Sequence, residues 1–123
     1  MEAIGRTTWV IPDMFWPTSS APGVYVSHEV IGVVNASEDD CEVDIELFYE
    51  DKDPVILKAE CQARRTHHIR MDLVLDEEGN HIQRGVSYAA VVTCSVPCVV
   101  QYTRLDASQS ANGLMSTLGF GIY

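Results

Sequence analysis

A chain of 123 residues is long enough to bury the core of one domain and too short for two of ordinary size. Its 46% hydrophobic and 21% charged residues match a folded globular protein rather than a disordered polymer. Eight Lys and Arg against 18 Asp and Glu leave a net charge of -10, which repels a polyanion and argues against a generic nucleic-acid role.

Turn chemistry divides the chain into short apolar-rich runs, which predict strands at 6–11, 24–35, 41–49, 55–61, 65–73, 87–95, 99–105 and 114–122. The clearest is 41–49, where Val43, Ile45, Leu47 and Tyr49 alternate with Glu42, Asp44 and Glu46, and only Phe48 breaks the polar side. Residues 12–23 form the longest irregular segment; its Phe15 and Trp16 are expected to pack on the domain itself. One helical turn is expected at 106–112. The whole chain, 1–123, therefore reads as an all-β, single-domain antiparallel β-sandwich, jelly-roll-like, of about eight strands. Val30-Ile31-Gly32-Val33-Val34 and Ala89-Ala90-Val91-Val92 are apolar on both faces, which fits a second sheet inside and either a partner subunit or a loop over the outer face.

No apolar run approaches the roughly 18 residues needed to cross a bilayer. Glu2 and Arg6 near the start come without a basic leader and apolar segment, so the expected location is the cytoplasm. Cys41, Cys61, Cys94 and Cys98 are then expected as reduced, buried thiols.

Few motifs carry chemistry. Ser27-His28-Glu29 cannot be a triad, because neighbours on a strand point to opposite faces. Cys94-Ser95-Val96-Pro97-Cys98 has the wrong spacing for a CxxC pair, and only His67 and His68 offer further ligands, so no metal and no cofactor is expected. Asp51-Lys52-Asp53-Pro54 reads as a hairpin turn, and P-loop, GxGxxG and GxSxG motifs are absent from the sequence. Residues 64–70 are the one locally basic segment; Arg65 and His67 share a strand face, and Thr66, His68 and Arg70 the other. Guanidinium forks beside histidines suit anions or polyhydroxyl ligands, and equally pair with surface carboxylates. In Gln101-Tyr102-Thr103-Arg104-Leu105-Asp106, Gln101 and Thr103 share one face while Tyr102, Arg104 and Asp106 share the other.

These residues carry a resemblance to the sensory rhodopsin transducer family that runs nearly end to end. It rests on Ile4-Gly5-Arg6-Thr7 with Trp9, Ser27-His28-Glu29, Asn35-Ala36, Tyr49 with Asp51-Lys52 and Pro54, Ala63-Arg64-Arg65-Thr66 with His68 and Arg70, Val96-Pro97, Val99-Val100-Gln101, Thr103-Arg104-Leu105-Asp106, Gln109, and Leu114 with Ser116-Thr117. The resemblance implies a small cytosolic β-sandwich that assembles as a homotetramer. It also implies one of two roles: binding a small polar metabolite such as a sugar, or acting as a soluble signal transducer on a membrane receptor such as a sensory rhodopsin. Tyr102 stands where the transducer carries histidine, and the chain ends at Tyr123 without a polar tail; both departures favour the metabolite.

The ligand site implied is built from Trp9, His28, Glu29, Arg65, Thr66, Gln101, Thr103 and Arg104. The preferred reading is a non-enzymatic binding domain with Arg65 and Arg104 as donors and Glu29 and Gln101 orienting hydroxyls. An enzyme would require His28, His68 and Glu29 to converge.

Overall fold

The computed structural model describes residues 2–123. Its regular structure is eight strands: β1 (Arg6–Phe15), β2 (His28–Asn35), β3 (Cys41–Tyr49), β4 (Val55–Cys61), β5 (Arg65–Arg70), β6 (Ser87–Asp106), β7 (Gly113–Leu118) and β8 (Phe120–Ile122). There is no helix among the described residues. The helical turn expected at 106–112 is an irregular segment, where the Ser108 amide and hydroxyl both donate to the Asp106 carboxylate and compete with helix formation.

All strand pairings are antiparallel, and β6 belongs to two sheets. Its first half pairs with β3 and β1 in a sheet ordered β4-β3-β6-β1-β8. From Val99 onward it pairs with β2 and β7, and β5 adds to the far side of β2. The separate strands expected at 87–95 and 99–105 are thus one strand of 20 residues. Pro97 lacks an N–H for the ladder, and β1 advances only from Arg6 to Thr8 while β6 runs from Cys98 back to Thr93. The surplus residues form a bulge that turns β6 from one sheet to the other instead of ending it. The stretch expected as one strand at 114–122 is cut at Gly119 and crosses the same way, β7 pairing with β6 and β8 with β1.

The period-2 alternation of β3 is realised. Cys41, Val43, Ile45 and Leu47 are fully buried, while Glu42 and Asp44 are exposed. The second sheet supplies Ile31, Val33, Val100 and Tyr102 to the same core, and each fully buried aliphatic side chain contributes about 1.5–3 kcal/mol.

Three boundaries differ from the sequence reading. The strand expected from residue 24 begins at His28, leaving Val24, Tyr25 and Val26 exposed, because the Ser27 amide bonds the Ser20 hydroxyl rather than a ladder partner. The strand expected at 65–73 stops at Arg70, where the Leu73 and Val74 amides both turn back onto the Arg70 carbonyl. Pro12 and Asp13 do not turn the chain: β1 passes through them with a register shift between Ile11 and Met14. Trp16 packs on its own domain as expected, buried beneath the Arg84 guanidinium at 4.4 Å and donating to the Ser27 carbonyl at 3.1 Å.

Candidate functional site

Glu29 is the least expected member of the core. Alternation along β2 places Ile31, Val33 and Glu29 on the inward face, so a carboxyl group is carried into the interior and is fully buried. Burying it is costly unless its oxygens are satisfied. They are: the Phe15 amide donates to Oε2 at 2.8 Å, the Tyr88 hydroxyl to Oε1 at 2.5 Å, and the Tyr102 hydroxyl to Oε2. Each donor comes from a strand in register. Met14 is opposite Tyr88 in the β1–β6 ladder, and Ile31 is opposite Tyr102 in the β2–β6 ladder.

Burial first, and the Glu29 carboxyl second, push both the Tyr88 and Tyr102 hydroxyls well above the ordinary phenol range. Both therefore remain hydrogen-bond donors at any working pH. Arg104 completes the chain, donating from Nε to the Tyr102 hydroxyl at 3.0 Å. Burial works against its charge, but the Tyr102 hydroxyl and the Glu29 and Asp13 carboxyls outweigh that and hold the guanidinium above its ordinary value. Its Nη2 is buried and makes no hydrogen bond; the nearest acid is the exposed Asp13, with Oδ1 3.6 Å away, in ion-pair range but too far to bond. Asp13 also lines, with Tyr49 and Tyr88, a surface hollow of about 260 Å³.

The eight residues expected to form one site lie in four places. Glu29 and Arg104 share the inner network just described. His28, Thr66, Gln101 and Thr103 belong to the outward face of the second sheet, where the register sets His68, Gly32, Gln101 and Leu118 in one row and Arg70, Val30, Thr103 and Ser116 in the next. Gln101 donates to the Ser116 hydroxyl there. Trp9 is buried, its indole shared between the Arg6 and Cys98 carbonyls at 3.1 and 3.0 Å, and Gly119 and Gly121 pass close over its ring. Arg65 and Thr66 together line a depression of about 290 Å³ with Glu60, Gln62 and His67. Within one chain these groups do not meet in one cavity, and His28 and His68 lie on the face opposite Glu29.

Tyr88, Asp13 and the Phe15 amide are members of the network that sequence reasoning missed. A signal existed: Tyr88 is in phase with the apolar Ala90 and Val92, as Tyr102 is with Val100 and Glu29 with Ile31. Polar groups in phase with buried neighbours on adjoining strands need one another as partners.

The family model described as Anabaena sensory rhodopsin transducer matches residues 4–121. The chain belongs to this family. Among solved structures, the fold is similar to the Anabaena sensory rhodopsin transducer at 36% identity and a TM-score of 0.73, covering 88% of this chain and 95% of that one. It is also similar to the crystal structure of Thermotoga maritima 1070 at 27% identity and a TM-score of 0.84, covering 96% of each chain. No curated protein sequence matches.

Several residues of the transducer-family motif have architectural roles. Gly5 adopts φ +113°, and a side chain there would collide with the Cys98 carbonyl, so the Ile4-Gly5-Arg6 segment holds β1 against the β6 corner. Arg70 forks onto the Asp72 carboxylate through two bonds of 2.8 Å. Asn35 donates to the Asp39 and Cys61 carbonyls and accepts from Ser37, tying the β2–β3 connection to the end of β4.

Proposed function

We propose that this transducer-family protein is a non-enzymatic cytoplasmic domain that binds a small polar metabolite, of the sugar or sugar-acid class. The observation that carries the reading is Arg104 Nη2, a buried cationic donor with no hydrogen bond and an exposed Asp13 carboxylate at 3.6 Å. An unsatisfied buried donor is rare and costly, and a donor beside an acceptor is what a vicinal hydroxyl pair requires. Glu29 and Tyr102 act one step behind, fixing the guanidinium so that little side-chain freedom is lost on binding. Of the other expected residues, Gln101, Thr103 and His28 would serve the outward face, and Arg65 with Thr66 the depression they share.

The test is a thermal-shift screen against sugars, sugar acids and sugar phosphates, with the Arg104→Ala variant alongside. A ligand that binds only the native state raises the midpoint with concentration. A shift with one compound class that disappears in the variant supports the reading; no shift across the panel removes it.

A second reading is a soluble transducer that docks on a membrane receptor, favoured by the 36% identity to the Anabaena sensory rhodopsin transducer. Homo-oligomerisation, with a tetramer as the expected form, belongs to both readings. It is supported by the outward face of the second sheet, where Val34, Leu114 and Leu118 are exposed beside the polar rows. Co-sedimentation with vesicles that carry a sensory rhodopsin tests the receptor reading, and recovery in the supernatant with and without the rhodopsin counts against it.

A further inference from the structure

Two of the chain's four cysteines flank the β6 corner, and a third faces them from β3. The Sγ atoms of Cys41, Cys94 and Cys98 all lie within 4.8 Å of one another, and all three residues are buried. The topology explains the convergence. Cys94 is the ladder partner of Val43, whose inward face Cys41 shares. The bulge between Thr93 and Cys98 then folds the second thiol of β6 back onto the first. Sequence spacing alone points to His67 and His68 as further ligands, but His67 is exposed and bonds the Glu60 carbonyl. The third sulfur comes instead from a strand more than 50 residues earlier in the chain.

We propose that Cys41, Cys94 and Cys98 form a three-thiolate site for a soft monovalent d10 metal ion, Cu(I). The donor set is all sulfur, which selects thiophilic ions over hard ones. Metal–sulfur bonds of about 2.3 Å place the sulfurs of a trigonal site about 4 Å apart, which small side-chain rotations reach from the present separations. Zn(II) prefers four ligands. The remaining cysteine, Cys61, is the ladder partner of Cys41, but its sulfur is not among those that lie within 4.8 Å of one another. Three ligands in a buried setting suit Cu(I) and leave Zn(II) one short.

Binding exchanges thiol protons for the metal: copper–sulfur bonds form, S–H bonds break, the protons leave to solvent and no electrons move.

The experiment is an anaerobic titration of the full reduced chain with Cu(I) supplied as its bicinchoninate complex. Metal content after gel filtration, the thiolate-to-copper charge-transfer absorbance and the thermal midpoint are read together. The expected result is one Cu(I) per chain, a new near-ultraviolet band and a raised midpoint. Cys98→Ala and Cys94→Ala should weaken binding by at least the roughly 10- to 100-fold that changes around metal ligands cost, and Cys61→Ala should leave it unchanged. Circular dichroism of each variant separates ligand loss from unfolding, and the wild-type titration stands whether or not a variant folds. Copper remaining with bicinchoninate, or bound without raising the midpoint of the native fold, overturns the proposal. So does tight Zn(II) binding with a tetrahedral Co(II) spectrum that Cys61→Ala abolishes, which would make the corner a four-thiolate zinc site.

Discussion

Glu29 and Arg104 are direct partners across the β2–β6 ladder, and the Tyr102 hydroxyl bridges them, donating to the carboxyl and accepting from the guanidinium. A buried carboxyl is thereby linked to a cation at the edge of the core through one phenol. The link ties the second sheet to β1, whose Phe15 amide bonds the same carboxyl, so the network is both a structural tie and the support for the candidate donor.

Tyr102→Phe keeps the ring and removes the bridge. The loss of one donor to Glu29 and of the acceptor for Arg104 Nε should cost about 1–3 kcal/mol, read as a lower midpoint in urea unfolding. An unchanged midpoint would show that water replaces the hydroxyl without penalty.

Gly5→Ala tests the corner. With φ at +113° and the Cys98 carbonyl in the way of a side chain, relief requires β1 to move off β6. The variant should be more than about 3 kcal/mol less stable or fail to fold, and a soluble protein with a wild-type melting curve would refute this account of the corner.

The Arg70–Asp72 pair gives an acid limb to stability. Burial pushes the Asp72 carboxyl up, but the Arg70 fork outweighs it and the net position is below the ordinary 3.8. A depressed folded-state value means that the contribution is complete above the unfolded value and is lost as pH falls through the folded one. Because the Arg70 side chain is 37% exposed, solvent screening holds the effect to about 1 kcal/mol or less. Asp72→Asn should flatten the fall in unfolding free energy below about pH 4; parallel curves for the two proteins would count against the pair.

The outward face of the second sheet can be tested for self-association. Leu118 is 63% exposed, so Leu118→Glu should leave the fold intact within about 0.5 kcal/mol while breaking the proposed oligomer, read by light scattering. A variant with the wild-type mass would move the interface elsewhere.

Strand periodicity made most of the fold legible. β3 and β4 match the expected bounds because turns with clear chemistry flank them. The β6 corner was not legible, since Val96-Pro97 looks the same in a strand end and in a bulge. At the site, the face assignments of Gln101, Thr103, Tyr102 and Arg104 followed from alternation, but whether a face is wet did not. Alternation sets Glu29 on the face of Ile31, and only the packing of the first sheet over that face, through Phe15 and Tyr88, makes it interior.

The sequence by itself determined the all-β class, the family and the phase of each strand, because these depend on local alternation, turn residues and ordered motifs. Tertiary structure alone decided which faces became interior and which side chains met: Glu29 with Tyr88 and Tyr102, and Cys41 with Cys94 and Cys98. Those meetings join strands far apart in the chain, and they depend on one proline-containing bulge that sends a single strand through both sheets.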